Sequence, residues 1–199
     1  RRVCIAGGVG LNSVANYKVL CDCGLDGIFI FPAAADNGIA VGCALWGYHT
    51  EGGGTERPPL GSACFGRSYS DQEVDEALEH FEDLLEVETR DAEGMVSSVA
   101  EALSRGNIVA RFEEGAEFGP RALGNRSILG DASSPEMQKL LNQKIKYRES
   151  FRPFAPSVRV EDVSDWFEMD ATSPYMLMVA DVAKKRQKNM NADENALFG

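Results

Sequence analysis

Apolar positions along this chain come in short clusters, and their spacing changes from cluster to cluster. Val3-Cys4-Ile5-Ala6 is an unbroken apolar run stopped by Gly7-Gly8, the pattern of a buried strand. Ser13 to Leu20 reads as a short helix, and Gly27 to Phe31 predicts a second strand, ended by Pro32. From Ala33 to Leu45 the chain is small and apolar except at Asp36 and Asn37. Ala, Gly and Val at this density predict a closely packed helix, with Asp36-Asn37 at its start as cap.

Gly52-Gly53-Gly54 and Pro58-Pro59 mark a linker, and beyond it the helical period returns. Val74, Leu78, Phe81 and Leu84-Leu85 line one face of an acidic helix from Ser70 to Glu88, with Ser70 as cap. Val96, Val99, Ala100 and Leu103 do the same from Asp91 to Arg105, closed by Gly106. Ile108 to Phe112 predicts a strand, followed by the stiff loop E-F-G-P-R-A-L-G-N-R-S-I-L from Glu117 to Leu129. Ser133-Ser134-Pro135-Glu136 predicts a helix start with Ser as cap and Pro in the first turn, and Met137, Leu140, Leu141 and Ile145 face inward. Arg152-Pro153-Phe154-Ala155-Pro156 breaks that helix, Ser157 to Val160 predicts a short strand, and Lys184 to Asn195 is polar and predicts a mobile segment. The mixture is an α/β (α+β) chain. Opening in a strand and stopping without a closing element, it reads as a piece of something longer.

Composition narrows the classes. The 199 residues, 44% hydrophobic and 26% charged, describe a globular chain able to bury a core. No apolar run approaches the roughly 18–20 residues of a membrane helix, and no signal-peptide pattern opens the sequence. Five scattered cysteines predict reduced thiols and a cytoplasmic location. Cys21-Asp22-Cys23 lacks a second Cys/His pair to complete a metal site, and His49 and His80 read as surface residues. The net charge of −11 argues against nucleic acid or an anionic membrane as partner. Gly119 to Pro153 is the exception. It holds seven basic residues against three acids, a net +4, which leaves the remainder of the chain at −15.

That basic island carries the chemistry. Arg121 and Arg126 sit on the Gly-punctuated loop, and Lys146, Arg148 and Arg152 cluster at the end of the following helix. Arginine grips phosphate or carboxylate in a two-pronged geometry and lysine adds a point charge, so the five could converge on a phosphorylated ligand. Favourable cations at a helix C-terminus account for Lys144 and Lys146 but not for the loop. One loop arginine bracing against Glu117 or Asp131 is the structural alternative. Gly7-Gly8, between a strand and a helix, is a plausible phosphate-approach turn or simply a tight turn. Asp36 is a helix cap or a ligand.

Five stretches then occur in order: G-G-V-G-L-N (7–12), P-A-A-A-D-N-G-I-A-V-G (32–42), E-F-G-P-R-A-L-G-N-R-S-I-L (117–129), K-Y-R-E-S-F-R-P-F-A-P (146–156) and S-P-Y-M-L (173–177). Together they resemble the O-carbamoyltransferase family that decorates nodulation factors, cephems and aminoglycosides. The resemblance implies the end of an actin/sugar-kinase-like transferase domain over 1–50, a linker with an acidic helix over 51–90, and the start of a threonylcarbamoyl-adenylate-synthase-like domain over 91–199.

The implied activity is ATP-dependent: carbamoyl phosphate and ATP give carbamoyl-adenylate, and the carbamoyl group passes to a hydroxyl of a small-molecule acceptor. Arg121, Lys146 and Arg148 would be catalytic, with Lys146-Tyr147-Arg148 matching a K-x-R signature. Gly7, Gly8, Asn12, Arg126, Ser127 and Arg152 would bind the nucleotide or carbamoyl phosphate. Asp36 would ligate Fe(II) or another divalent metal in the transferase domain, and Mg would accompany the nucleotide. The family's upstream H-x-x-x-H pair and its downstream H-x-D-G-T and S-x-N motifs do not occur in this chain. By itself it is therefore expected to be an incomplete catalyst. A non-catalytic nucleotide- or phosphate-binding module is the alternative.

Overall fold

A strand–helix–strand unit opens the chain. The computed structural model describes residues 1–113 and 115–189, and these fall into two units, Arg1–Ala35 with the segment from Ser157 onward, and Asp36–Pro156.

In the first unit β1 (Arg2–Ile5) runs parallel to β2 (Gly27–Ile30), with Val3 opposite Ile28 and Ile5 opposite Ile30. Between them lie a helical turn, Gly8–Leu11, and α1 (Ser13–Asp22). Asn12 starts α1 by accepting a hydrogen bond from the Ala15 amide at 3.1 Å. The core gathers Ile30, Ala34 and Leu177, with Ile5, Leu11, Ile28 and Tyr175 packed on it. Gly10 is small because it must be: a Cβ there would lie 3.1 Å from Ala34 Cβ and 3.2 Å from Ile30 Cγ2.

Asn16 locks this unit. It is only 2% exposed, and its Nδ2 donates to the Gly10 carbonyl at 2.8 Å and the Leu177 carbonyl at 2.9 Å. Two backbone acceptors far apart in sequence thus share one buried donor. Asn16→Ala should cost about 2 kcal/mol, the penalty for stranding buried polar groups. A lowered urea midpoint checks this; an unchanged midpoint would show that the two carbonyls find other donors.

The expected strand at Ser157–Val160 does not form. No strand partner pairs with it among the described residues, and Val160–Asp162 instead makes a helical turn, followed by another at Val163–Trp166. Lys184–Arg186 is also a helical turn, while residues 190–195 of the expected mobile segment lie outside the described residues.

In the second unit α2 (Gly38–Trp46) begins five residues after the predicted start at Ala33. The cap expected at Asp36-Asn37 is not made. Asn37 holds the cap position with helical backbone angles and no side-chain capping bond, and Asp36 contributes only its carbonyl, to the Ile39 amide at 3.1 Å. Nor is the helix closely packed: none of its residues is buried, and Ile39 and Trp46 are 62% and 67% exposed. Small apolar residues permit close packing, but a facing element must supply the other surface. A wide helical turn, Gly47–Glu51, follows α2. There His49 proves half-buried rather than a surface residue, with Nδ1 2.8 Å from the Gly54 carbonyl.

α3 (Asp71–His80) starts on a complete capping box between Ser70 and Glu73. It stops eight residues short of the predicted Glu88, because Glu82, Asp83, Glu86 and Glu88 would crowd the negative end of the helix dipole. α4 (Ala92–Ser104) matches its prediction. Asp91 accepts from the Gly94 amide, and Gly106, at φ +81, closes the other end with Asn107 bonded back to Ala102.

β3 (Val109–Phe112) then pairs antiparallel with β4 (Arg126–Leu129), a strand the hydrophobic pattern did not predict. α5 (Met137–Leu140) continues as a wide turn to Ile145. It starts two residues after Pro135, the predicted first helical position, with Glu136 at the cap position and no side-chain capping bond; upstream, the Ser133 hydroxyl and amide bond Asp131 at 2.8 and 2.9 Å. Met137, Leu141 and Asn142 are the buried residues of this segment, and the first two pack where a Cβ on Gly130 would lie 2.8 Å and 3.2 Å from them. Helices with two small two-stranded sheets make the chain α/β in class.

Candidate functional site

The cationic loop is organised around its own carboxylate. Glu117 Oε1 accepts backbone amides from Leu123 at 2.9 Å, Asn125 at 2.8 Å and Arg126 at 3.2 Å. Burial pushes the Glu117 carboxyl up, but the amides of Leu123, Glu117 itself, Arg126 and Asn125 outweigh it and hold the group below its ordinary value. These bonds curl Phe118–Arg126 into a tight bend that returns the chain into β4. Asn125 Nδ2 donates to the Gly115 carbonyl at 2.9 Å, and the Gly124 amide donates to Ser127 Oγ at the same distance. Asp131 is held below its usual range by the Ser133 amide and then the Ser133 hydroxyl.

A stretch of the predicted linker supports this bend. The Phe118 amide donates to Ala63 O at 2.7 Å and the Gly66 amide to Ala116 O at 3.0 Å. Ala63 is buried, and the Phe65 and Phe118 rings lie 6.2 Å apart.

The two loop arginines have different surroundings. Arg126 sits opposite Phe112 in the strand pair, its guanidinium 3.4 Å over the Phe112 ring, and donates to the carbonyls of Glu113 and Asn125. Much of its hydrogen-bonding capacity therefore serves the hairpin. Arg121, within the bend, has its Nε shut off from solvent. Ser127, next to Arg126, faces Arg111 in the register.

The second cationic segment hangs from α5. Arg148 Nε donates to Asn142 Oδ1 at 2.6 Å, and its guanidinium lies 5.0 Å from the Phe154 ring centre. Arg152 pairs with Glu149 at 2.9 Å, with both side chains about half exposed. Such a pair is weak, so Arg152 can exchange its partner for a stronger anion. Lys146 is exposed and makes no ion pair with a described residue. Tyr147, between Lys146 and Arg148, has φ +48, a left-handed backbone that a non-glycine residue adopts only under local constraint.

Packing links the two cationic segments, because Gly130, the residue after β4, rests on the helix that carries the second. The other predicted residues stand elsewhere. Gly7 has φ +94, the region that favours glycine, while Gly8 has neither a positive φ nor any neighbour that a Cβ would meet. Asn12 spends its side-chain oxygen on the α1 cap. Asp36 is exposed, and no three His, Cys, Asp or Glu side chains gather to hold a metal among the described residues. Among residues that sequence reasoning missed, Glu117 and Asn142 matter most. Glu117 was legible as a lone acid opening a basic loop. Asn142 lay one helical turn after Gln138 and looked like ordinary polar surface.

One unit thus carries a strand–turn–helix and the other a loop and a turn rich in cations, in a chain of α/β class, and comparison gives the family. Residues 1–45 match the carbamoyltransferase N-terminus and residues 100–194 the carbamoyltransferase C-terminus. The chain belongs to the carbamoyltransferase family. It is 42% identical, over 99% of its length, to 33% of the uncharacterized protein sll1178 of Synechocystis. It is 37% identical, over 96% of its length, to 35% of nodulation protein NolO of Bradyrhizobium diazoefficiens. It is 34% identical, over 87% of its length, to 31% of 3'-hydroxymethylcephem-O-carbamoyltransferase of Streptomyces clavuligerus. The chain thus spans about a third of the length of these relatives.

Proposed function

We propose that this chain carries the junction of an ATP-dependent O-carbamoyltransferase. Residues 1–50 contribute the end of an actin/sugar-kinase-like transferase domain, 51–90 the connection, and 91–199 the start of an adenylate-synthase-like domain. In the latter, carbamoyl phosphate, ATP and water give carbamoyl-adenylate, phosphate and pyrophosphate. The carbamoyl group then passes to a hydroxyl of an acceptor in the former, with release of AMP and the hydroxyl proton. The observation that carries this reading is the order of the two family matches, with Arg121, Arg126, Ser127, Lys146, Arg148 and Arg152 all inside the C-terminus match.

Physical chemistry supports these roles. Adenylate formation gathers negative charge on phosphate and carbonyl oxygens, and cations already fixed in place stabilise it without reorganising. Arg148, steered by Asn142, and the exposed Lys146 suit the catalytic part. Arg121 would work from the loop that Glu117 holds. Arg126, with one face committed to Phe112, and Ser127 suit binding more than chemistry. At the other end, nothing inside the fold requires glycine at position 8, which fits a turn left open for a phosphate. Asp36 supplies a single carboxylate, and no metal-holding cluster gathers around it among the described residues, so Fe(II) or another divalent metal would need further ligands from the full-length protein. Mg would accompany ATP.

Arg121→Ala and Lys146→Ala, placed in the full-length protein, should each lower carbamoyl-phosphate-dependent pyrophosphate exchange about 100-fold. Asp36→Asn should leave that exchange intact and reduce transfer to the hydroxyl. Exchange at the wild-type rate in both cation variants would remove the site assignment.

A further inference from the structure

The segment that bears Lys146, Arg148 and Arg152 does not hold its own shape. Asn142, fully buried at 0% exposure, is the residue around which it is wound. Its Nδ2 donates to the Ser150 carbonyl at 3.1 Å and the Arg152 carbonyl at 2.8 Å, while its Oδ1 accepts from Arg148 Nε at 2.6 Å. Its backbone carbonyl takes the Arg148 amide at 3.0 Å. Gln138, one turn earlier, donates to the Phe151 and Arg152 carbonyls at 3.0 and 3.2 Å. Both amides therefore reach the same stretch of backbone, and the left-handed Tyr147 lies at the point where the chain reverses.

We propose that Asn142 is the positioning residue for Arg148: its amide winds residues 146–152 into a closed turn and aims the guanidinium through the Nε bond. Three features require this rather than simple burial of a polar group. Asn142 uses both ends of its amide, so neither Ala, Asp nor Leu can replace it. The Nε bond fixes the guanidinium plane while leaving its two terminal nitrogens to address an anion bidentately. The strained Tyr147 backbone persists only where surrounding bonds over-determine it, and the bonds to Asn142 and Leu141 flank it on both sides. The proposal rests on the reading of Arg148 as an anion-binding residue, and its test separates the two.

Two measurements on the full-length protein decide it. Trypsin cleaves after lysine and arginine, so it reports how tightly residues 146–148 are held. Asn142→Ala should raise cleavage after Lys146 and Arg148 at least tenfold while cleavage after Arg105 stays unchanged. It should also weaken ATP binding about tenfold, and that loss should vanish when the background already carries Arg148→Ala. An equal loss in both backgrounds would overturn the proposal, because Asn142 would then act through something other than Arg148. If the full-length wild-type protein binds no ATP, the functional reading fails, and the trypsin pattern alone decides the role of Asn142. Where Asn142→Ala does not fold, Gln138→Ala takes its place. It should raise cleavage after Lys146 and Arg148 severalfold, and an unchanged pattern would count against the winding.

Discussion

Gly66→Ala is expected to destabilise the protein by about 3 kcal/mol, at the upper end of what one added methyl costs in a packed site. A Cβ at Gly66 would be driven into the Ala116 backbone nitrogen and would sit 2.9 Å from the Ala116 Cβ and carbonyl oxygen. A flexible side chain could swing aside, but backbone cannot. Two bonds prevent the two segments from separating: Gly66 N–H to Ala116 O at 3.0 Å and Phe118 N–H to Ala63 O at 2.7 Å. The crossing is close from both sides, since a Cβ on Gly115 would run into the Gly66 carbonyl. Gly61→Ala is the control, because a Cβ there meets nothing within 4 Å. Urea midpoints should fall for Gly66→Ala and hold for Gly61→Ala. Equal midpoints would mean that the two backbones are not in contact.

That crossing shows where sequence reasoning ran out. Residues 51–90 looked like a connection, and glycine and proline density supported it; yet Ala63 to Gly66 is the floor of the cationic bend. Local signals were legible when one residue satisfied a nearby backbone group. Ser70 and Gly106 were read correctly for this reason, and each works within four residues. Signals that depend on a distant partner were not. β4 has only Ile128 and Leu129 as apolar residues, so no alternation announced it. It exists because Phe112 and Arg126 pair and because Glu117 turns the chain back. The Ser before Pro135 had the chemistry of a cap, but the helix begins only at Met137, with no side-chain bond at its start.

The same division runs through the candidate site. Residue type made the cations of 119–153 visible, but their spending is a matter of geometry. Arg126 stacks on Phe112, Arg152 leans on Glu149, and Arg148 is aimed by an asparagine that looks like any other in the sequence. The buried asparagines Asn16 and Asn142 were invisible for one reason. A polar residue buried by bonds to backbone carbonyls leaves no hydrophobic period to read.

Glu117→Ala should have a comparable structural effect and a wider functional one. Removing the carboxylate leaves the amides of Leu123, Asn125 and Arg126 without the acceptor that now holds all three. Hydrogen bonds to a charged acceptor are worth about 1.5–3 kcal/mol each where solvent is excluded. Here the group is half-buried and the three share one oxygen, so a total of about 2 kcal/mol is expected after allowance for screening. Glu117→Gln keeps an oxygen in place without the charge and should lose about half as much. The pH dependence has a definite sign. The folded carboxyl is held below its unfolded value, so its stabilisation is complete above about pH 4.5 and is lost as pH falls through the folded value. The gap in urea midpoint between wild type and Glu117→Ala should therefore be full at pH 7 and shrink on acidification. A gap that is constant from pH 7 to pH 3 would mean that Glu117 stabilises by packing alone. Because the same three amides shape the bend that presents Arg121, both Glu117 variants should also weaken ATP binding. The alanine variant should suffer more than the glutamine one, an order that a general loss of negative charge could not produce, since both substitutions remove the same charge.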